Sequence, residues 1–147
     1  MTNQKMTVGI LVIVVLLFAG VGTVSAQTYT DTEARRILNS AGIEINYSAP
    51  RTSLEGIRRA TVNAIITLKD ASGAYIVITG GTEGGHAGGT YSHANGYKVD
   101  LRLNSTLNNY IETRFAKAGT VGGYPAYKSA SGNLYVKEGD HWDVTIY

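Results

Sequence analysis

The feature that most restricts the fold is a run of 17 residues, 80–96, that contains seven glycines. Each glycine inside a helix or strand costs about 0.5–1 kcal/mol relative to alanine, so this run predicts a long loop. Before it, residues 75–79 (YIVIT) are typical of a central buried strand. After it, residues 99–103 alternate as a second strand, with Asp100 on the face opposite Val99 and Leu101. The loop therefore joins two strands, and Asp100 points away from the hydrophobic layer.

Helical periodicity occurs in three other segments, and each has a capping signal at its start. The caps are Thr30 or Asp31 for the first helix, a T-x-x-E capping box from Thr52 to Glu55 for the second, and Asn104 or Ser105 for the third. We expect these helices to end near residues 39–42, near residues 70–73 and by Gly119.

The C-terminal part reads as strands. Residues 124–128 and 134–137 flank SASGN, which is a hairpin signal, and residues 142–147 alternate as a last strand. The whole pattern predicts an α+β domain in which helices pack on a small, mainly antiparallel sheet.

The N-terminus predicts an export signal. Lys5 precedes an apolar run over residues 8–21, and Val24-Ser25-Ala26 has the small residues of a cleavage site. This run of about 14 residues is shorter than the roughly 20 that span a bilayer, which favours a cleaved signal peptide at residues 1–26 over a membrane anchor. With either reading, residues 27–147 form one domain that lies outside the cytoplasm, secreted or in the cell envelope.

Composition excludes several classes of function. The chain has no cysteine, so it has neither disulfides nor thiolate ligands nor a cysteine nucleophile. Its 13 basic and 11 acidic residues form no long run of one sign. The arginine pairs at residues 35–36 and 58–59 are better explained as solvated helix faces than as a nucleic-acid surface, so we expect no nucleic-acid partner.

Two short motifs carry the metal-binding chemistry. The first, SHANGYKVDL, contains His93, Gly96 and Asp100, and the second, EGDHW, contains Glu138 and His141. Two imidazoles and one carboxylate suit a zinc ion, and three protein ligands leave the open position of a hydrolytic site. We therefore predict one Zn²⁺ per chain, bound by His93, Asp100 and His141, with Glu138 as the general base.

Two neighbouring acids are alternatives at this site. Asp140 is a rival for the base, although on an extended segment it would point to the face opposite His141. Asp143 shares the face of His141, where it either orients an imidazole or is itself the third ligand.

The two motifs, H-x-x-G-x-x-x-D and E-x-x-H, resemble those of the zinc D-alanyl-D-alanine carboxypeptidase family. That family includes VanX-like and VanY-like dipeptidases and phage L-alanyl-D-glutamate endolysins, and it is related to the hedgehog signalling domain. The resemblance covers roughly residues 53–147. It implies the family's fold, zinc on His93, Asp100 and His141, and Glu138 as the base.

The resemblance also implies a function: an exported metallopeptidase that cleaves short peptide bonds, with peptidoglycan stem peptides as substrate and partner. The family usually has an arginine just after the first strand, but this chain has none between Arg59 and Arg102. His86 or Arg102 would then stabilise the polarised carbonyl. Lys98 replaces the family's usual alanine and brings a charge near the site.

Two other interpretations stay open at the level of the sequence. The missing arginine favours a zinc-containing binding module of the same fold that has lost turnover. If the motifs are coincidental, the chain is a secreted β-rich protein without metal.

Overall fold

The computed structural model describes residues 27–47 and 51–147. The predicted signal peptide, residues 1–26, lies outside the described residues. Within them the chain is α+β, as predicted, with three helices and two sheets. The helices are α1 (Asp31–Ser40), α2 (Arg59–Ser72) and α3 (Ser105–Arg114). None of the helices in this described part has the length and apolarity needed to cross a membrane.

The main sheet has seven strands, which is larger than the small sheet that the sequence predicted. The strands are β2 (Glu44–Ile45), β4 (Val77–Gly80), β5 (Lys98–Arg102), β6 (Ala116–Val121), β7 (Tyr124–Lys128), β8 (Leu134–Glu138) and β9 (His141–Thr145). They lie in the order β2-β4-β5-β9-β8-β7-β6, and only the β2–β4 pair is parallel. A second sheet pairs β1 (Thr28–Tyr29) with β3 (Ile57–Arg58).

Two of the three predicted caps are confirmed. Thr30 accepts a hydrogen bond from the Glu33 amide, and Glu33 accepts one from the Thr30 amide, so α1 begins with a full capping box. Asn104 caps α3 by accepting a hydrogen bond from the Leu107 amide.

The predicted cap of the second helix is wrong. Gly56 has a φ of +74°, and Ile57–Arg58 pairs as a strand with Thr28–Tyr29, so the chain is not helical after Thr52. The helix begins only at Arg59, without a side-chain cap. The third helix also differs at its end, because Phe115 is already extended and β6 follows where the sequence predicted helix up to Gly119.

The seven-stranded sheet has one apolar face and one polar face at its centre. Val99, Leu101, Trp142 and Val144 are fully buried and join the core with apolar side chains of α1, α2 and α3. Because side chains alternate along a strand, Asp100, His141 and Asp143 lie on the opposite face. The helices thus cover one face, and the glycine-rich loop places its histidines over the other.

Candidate metal centre

The strand register places the motif residues side by side on the polar face. Asp100 in β5 pairs with Asp143 in β9, and Arg102 pairs with His141. In the β8–β9 hairpin, Glu138 pairs with His141. The E-x-x-H spacing is therefore that of a hairpin with a two-residue turn, which holds the acid and the imidazole opposite each other.

Gly80 makes room for the Asp100 carboxylate. Gly80 pairs with Asp100 across β4 and β5, and a Cβ atom at Gly80 would lie 2.2 Å from Asp100 Oδ2. Such a distance is far inside van der Waals contact. A side chain at position 80 would therefore displace the carboxylate, so glycine is required by contact with the site.

Gly96 brings the loop back onto the body of the protein. Its φ is +72°, and a Cβ there would lie 2.7 Å from the carbonyl oxygen of Gly56. The carbonyl of Gly96 accepts hydrogen bonds from the Arg58 amide and the Thr61 hydroxyl. These contacts fix the loop between His93 and β5, and explain physically why the spacing from His93 to Asp100 contains a glycine.

His93 is buried, and its orientation is fixed from behind. Its Nδ1 lies 2.9 Å from the carbonyl oxygen of Gly81. A carbonyl can only accept, so Nδ1 carries the proton and Nε2 is the atom left for a metal. His93 Nε2 lies 3.4 Å from Asp100 Oδ1.

His141 has the same arrangement. Its Nδ1 lies 2.8 Å from Asp140 Oδ1, and its Nε2 lies 3.6 Å from Asp100 Oδ1. The expectation that Asp140 points away from His141 is therefore wrong, because the turn lets this exposed carboxylate orient the ring. Glu138 Oε2 is 3.6 Å from His141 Nε2.

Asp100 Oδ1 is buried and has no hydrogen-bond partner among the described residues. Two imidazole nitrogens face this oxygen at distances of 3.4 and 3.6 Å, too far for good hydrogen bonds. Two atoms bonded at about 2.0–2.1 Å to one tetrahedral ion lie about 3.3 Å apart. Each imidazole nitrogen therefore lies at a ligand-like distance from Asp100 Oδ1, but the described residues whose ligand atoms all lie within 4.8 Å of one another do not include His141.

His86 belongs to the same cluster. His86, His93 and Asp100 each offer one ligand atom within 4.8 Å of the others, so they could hold a metal ion. His86 Nε2 lies 3.2 Å from Glu83 Oε1, and its Nδ1 lies 3.9 Å from Asp100 Oδ2. Its ring stacks on His93 with centroids 3.8 Å apart and an interplanar angle of 16°.

Glu83 anchors the beginning of the loop. Its carboxylate accepts hydrogen bonds from the Ser53 and Gly81 amides at 2.7 to 3.1 Å. Burial raises the pKa of Glu83, but these amide donors and His86 outweigh it and hold the pKa below its ordinary value. The ionised carboxylate therefore fixes His86 Nε2 as a donor.

Asp143 is held by a lysine. Lys98 Nζ lies 2.9 Å from each Asp143 oxygen, while Asp143 Oδ2 lies 3.8 Å from His93 Nε2. Burial raises the pKa of Asp143, and the contacts with His93 and Lys98 lower it by more, so the carboxylate is ionised. Arg102 is on the same face of β5 but is exposed.

The acids around His93 change its protonation. Burial alone would lower the pKa of His93, but the carboxylates of Asp100 and Asp143 outweigh it and raise the pKa to about 9. Without a cation the ring therefore keeps a second proton at neutral pH. A metal ion at this place would replace that proton as the counter-charge of the carboxylates.

The six residues predicted as zinc ligands, general base or oxyanion stabiliser all lie on the polar face or over it. Three of them surround Asp100, namely His93, His141 and His86, and Glu138 lies next to His141. Arg102 pairs with His141 across β5 and β9, but it is exposed and makes no contact in this cluster that the described residues show. Sequence reasoning missed Glu83 and the orienting contact of Asp140. A carboxylate three residues before His86, in a segment otherwise poor in charge, is the signal that could have pointed to Glu83.

No family model matches the chain, and no curated protein or solved structure shows a significant similarity to it.

Proposed function

We propose that this protein is an exported zinc metallopeptidase that hydrolyses short peptide bonds, with peptidoglycan stem peptides as the substrate class. One observation carries the proposal. The Nε2 atoms of His93 and His141, both oriented from behind through Nδ1, face the buried and otherwise unpartnered Oδ1 of Asp100. This is the donor set and the outer support of a zinc site.

Among the described residues, His86, His93 and Asp100 are the group whose ligand atoms all lie within 4.8 Å of one another, so ligation by His141 requires its Nε2 to move toward His93 when the ion binds. We nevertheless assign the ion to His93, Asp100 and His141. An imidazole binds a metal through a lone pair in the plane of its ring. The rings of His86 and His93 are nearly parallel and stacked, so their lone pairs do not converge on one ion. We therefore assign His86 to a place beside the ligands, where Glu83 holds it.

A zinc ion with three protein ligands supplies a Lewis acid for the scissile carbonyl and lowers the pKa of a water molecule to about 7. The chain's own contribution to proton transfer is Glu138. Glu138 belongs to β8 and its carboxylate lies next to Nε2 of His141 in β9. Its side chain is 36% exposed. From there Glu138 takes the proton of the attacking water and passes it to the leaving amine.

His86 is the better placed of the two candidates that could stabilise the developing oxyanion. Its ring is within 3.9 Å of the Asp100 carboxylate, whereas Arg102 is exposed at the end of β5. Because Nε2–H is donated to Glu83, donation to an oxyanion would use Nδ1 and requires the doubly protonated ring, whose rotation is restricted by the stacking on His93.

The substrate class and the export of the protein are supported by the sequence rather than by the geometry of the site. Cleavage of stem peptides follows from the resemblance to the D-alanyl-D-alanine carboxypeptidase family. Export follows from the signal-peptide pattern of residues 1–26. Both are consistent with a domain that has no cysteine and takes its site from nitrogen and oxygen ligands.

A catalytically inactive binding module of the same fold is the second candidate. The observation in its favour concerns the cationic side chains that could stabilise the polarised carbonyl. The usual arginine is missing, Lys98 is engaged by Asp143, and Arg102 is exposed. Glu138 opposes this candidate, because a purely structural zinc needs no base.

The experiment compares bound zinc and cleavage of a stem peptide ending in D-alanyl-D-alanine for the full-length chain and Glu138→Ala. We expect one zinc in both proteins and cleavage only in the wild type. Glu112→Ala removes an acid that pairs with Lys137 and lies outside the cluster, so it is a matched control that retains cleavage. Zinc without cleavage in the wild type would support the binding module, and absence of zinc would contradict both candidates.

A further inference from the structure

A second carboxylate lies almost as close to His93 as Asp100 does. Asp143 is directly opposite Asp100 in the β5–β9 pair, and its side chain is 13% exposed. Its Oδ2 lies 3.8 Å from His93 Nε2, compared with 3.4 Å for Asp100 Oδ1. A small rotation of this side chain would bring a fourth ligand to the ion.

A fourth protein ligand would change the kind of site. Structural zinc sites have four protein ligands, whereas catalytic ones have three and keep one position open. His93, Asp100 and His141 leave that position open, and Asp143 would close it. What holds Asp143 therefore decides whether the site can take a substrate.

The group that holds Asp143 is Lys98. The ammonium lies at 2.9 Å from both carboxylate oxygens, and Lys98 is two residues before Asp100 on the same face of β5. Ligation of a metal through Asp143 Oδ2 would break the charge-assisted hydrogen bond that this oxygen accepts from the ammonium, and it would draw the carboxylate away from Lys98. Lys98 therefore opposes ligation by Asp143 through geometry and through charge.

We propose that Lys98 is a positioning residue that keeps Asp143 out of the metal's coordination shell, and so keeps one coordination position open. The inference rests on the proposed zinc site, and it gives a role to a lysine that the resemblance does not explain. Removing the Lys98 charge would convert an open three-ligand site into a closed four-ligand site.

The test uses the full-length chain loaded with Co²⁺, whose visible absorption reports on its ligands, and azide as a probe of an open position. We expect azide to change the spectrum of the wild type. In Lys98→Met, Asp143 fills the position, so azide has no effect and the dissociation constant for zinc falls about tenfold or more. Lys98→Arg keeps the ion pair and should respond to azide as the wild type does.

Two further variants separate ligation from a simple change of charge. Arg102→Met removes the same charge from the same face of β5 but leaves the Lys98–Asp143 pair intact, so its spectrum should still respond to azide. In Lys98→Met combined with Asp143→Asn, the added ligand is lost, and we expect the response to return. If Lys98→Met does not fold, as judged by circular dichroism, Lys98→Gln takes its place.

The outcomes distinguish this inference from the proposed function. A wild type that binds neither cobalt nor zinc overturns the proposed function. A wild type that binds metal and responds to azide, together with a Lys98→Met protein that still responds, overturns only the role of Lys98. A wild type that binds metal but does not respond to azide also overturns the role of Lys98, because the fourth coordination position would already be closed.

Discussion

Replacing Gly80 by alanine should damage the proposed metal site without changing any of the proposed ligands. The new Cβ would lie 2.2 Å from Oδ2 and 2.9 Å from Cγ of Asp100. Ordinary contact needs about 3.4 Å or more, so the carboxylate must move by about 1 Å. Zinc ligands lie about 2.0–2.2 Å from the ion, so moving the Asp100 carboxylate by about 1 Å would spoil this distance. We expect the effect on zinc affinity to be as large as that of losing a residue that orients a ligand.

We therefore expect Gly80→Ala to weaken zinc binding by about 10- to 100-fold. Crowding in the metal-free protein should also lower the free energy of unfolding by about 1–3 kcal/mol. Competition with a chromophoric chelator measures the zinc affinity, and urea denaturation measures the stability.

Gly84→Ala is the matched control. Gly84 lies in the same loop, and a Cβ there has no heavy atom within 4 Å among the described residues. Its zinc affinity should equal that of the wild type. The reasoning is refuted if Gly80→Ala binds zinc as tightly as Gly84→Ala, because Asp100 would then not be a ligand in this geometry.

Three other predictions follow from the contacts of the described residues. The neighbouring carboxylates raise the pKa of His93 to about 9, so below pH 9 zinc must displace a proton from this ring. The affinity for zinc should therefore fall about tenfold for each unit by which the pH decreases. Calorimetry in buffers of different ionisation enthalpy should show the release of this proton. His86→Ala should weaken zinc binding less than His141→Ala does, as chelator competition would show, whereas equal losses would favour His86 as a ligand. Asp31→Asn should lower the free energy of unfolding by about 1–3 kcal/mol, because the buried Arg35 loses its ion pair, and urea denaturation at pH 7 would measure this.

The pH dependence of Asp31 has a definite sign. Burial raises the pKa of Asp31, but hydrogen bonds from Arg35 and the Leu54 amide outweigh it and hold the pKa below its ordinary value of 3.8. A lowered pKa contributes stability above the unfolded value and loses it as pH falls through the folded value. The stability difference between wild type and Asp31→Asn should therefore vanish in strong acid.

The chain's local signals predicted those parts of the fold that depend on local interactions. Thr30 and Asn104 cap helices because each sits directly before a helical segment and accepts a nearby amide. Thr52 and Glu55 have the same spacing, but the left-handed Gly56 and the pairing of β3 with β1 prevent a helix there. Pairing with a distant strand overrode a local signal.

Strand β6 could not be predicted from alternation, because all six of its residues are exposed. The available signal was Gly122-Gly123, whose φ values of +58° and +86° form the two-residue turn into β7. The two-residue strand β2 is too short to carry any pattern.

At the proposed site, spacing along the chain led to the prediction of His93, Asp100, Glu138 and His141, since each lies on a strand or loop whose direction the sequence indicates. The Lys98–Asp143 pair depends on the register of β5 against β9, which no local pattern encodes. The place of His86 depends on how the loop folds over the sheet, and that is fixed by Glu83 and by stacking on His93.

The most direct test of the convergent metal site is zinc K-edge X-ray absorption on the purified full-length chain after dialysis against metal-free buffer. We expect one zinc per chain with nitrogen and oxygen neighbours at about 2.0–2.1 Å and the scattering of two imidazole rings. Retention of no zinc, or a zinc surrounded by oxygen atoms alone, would contradict this expectation.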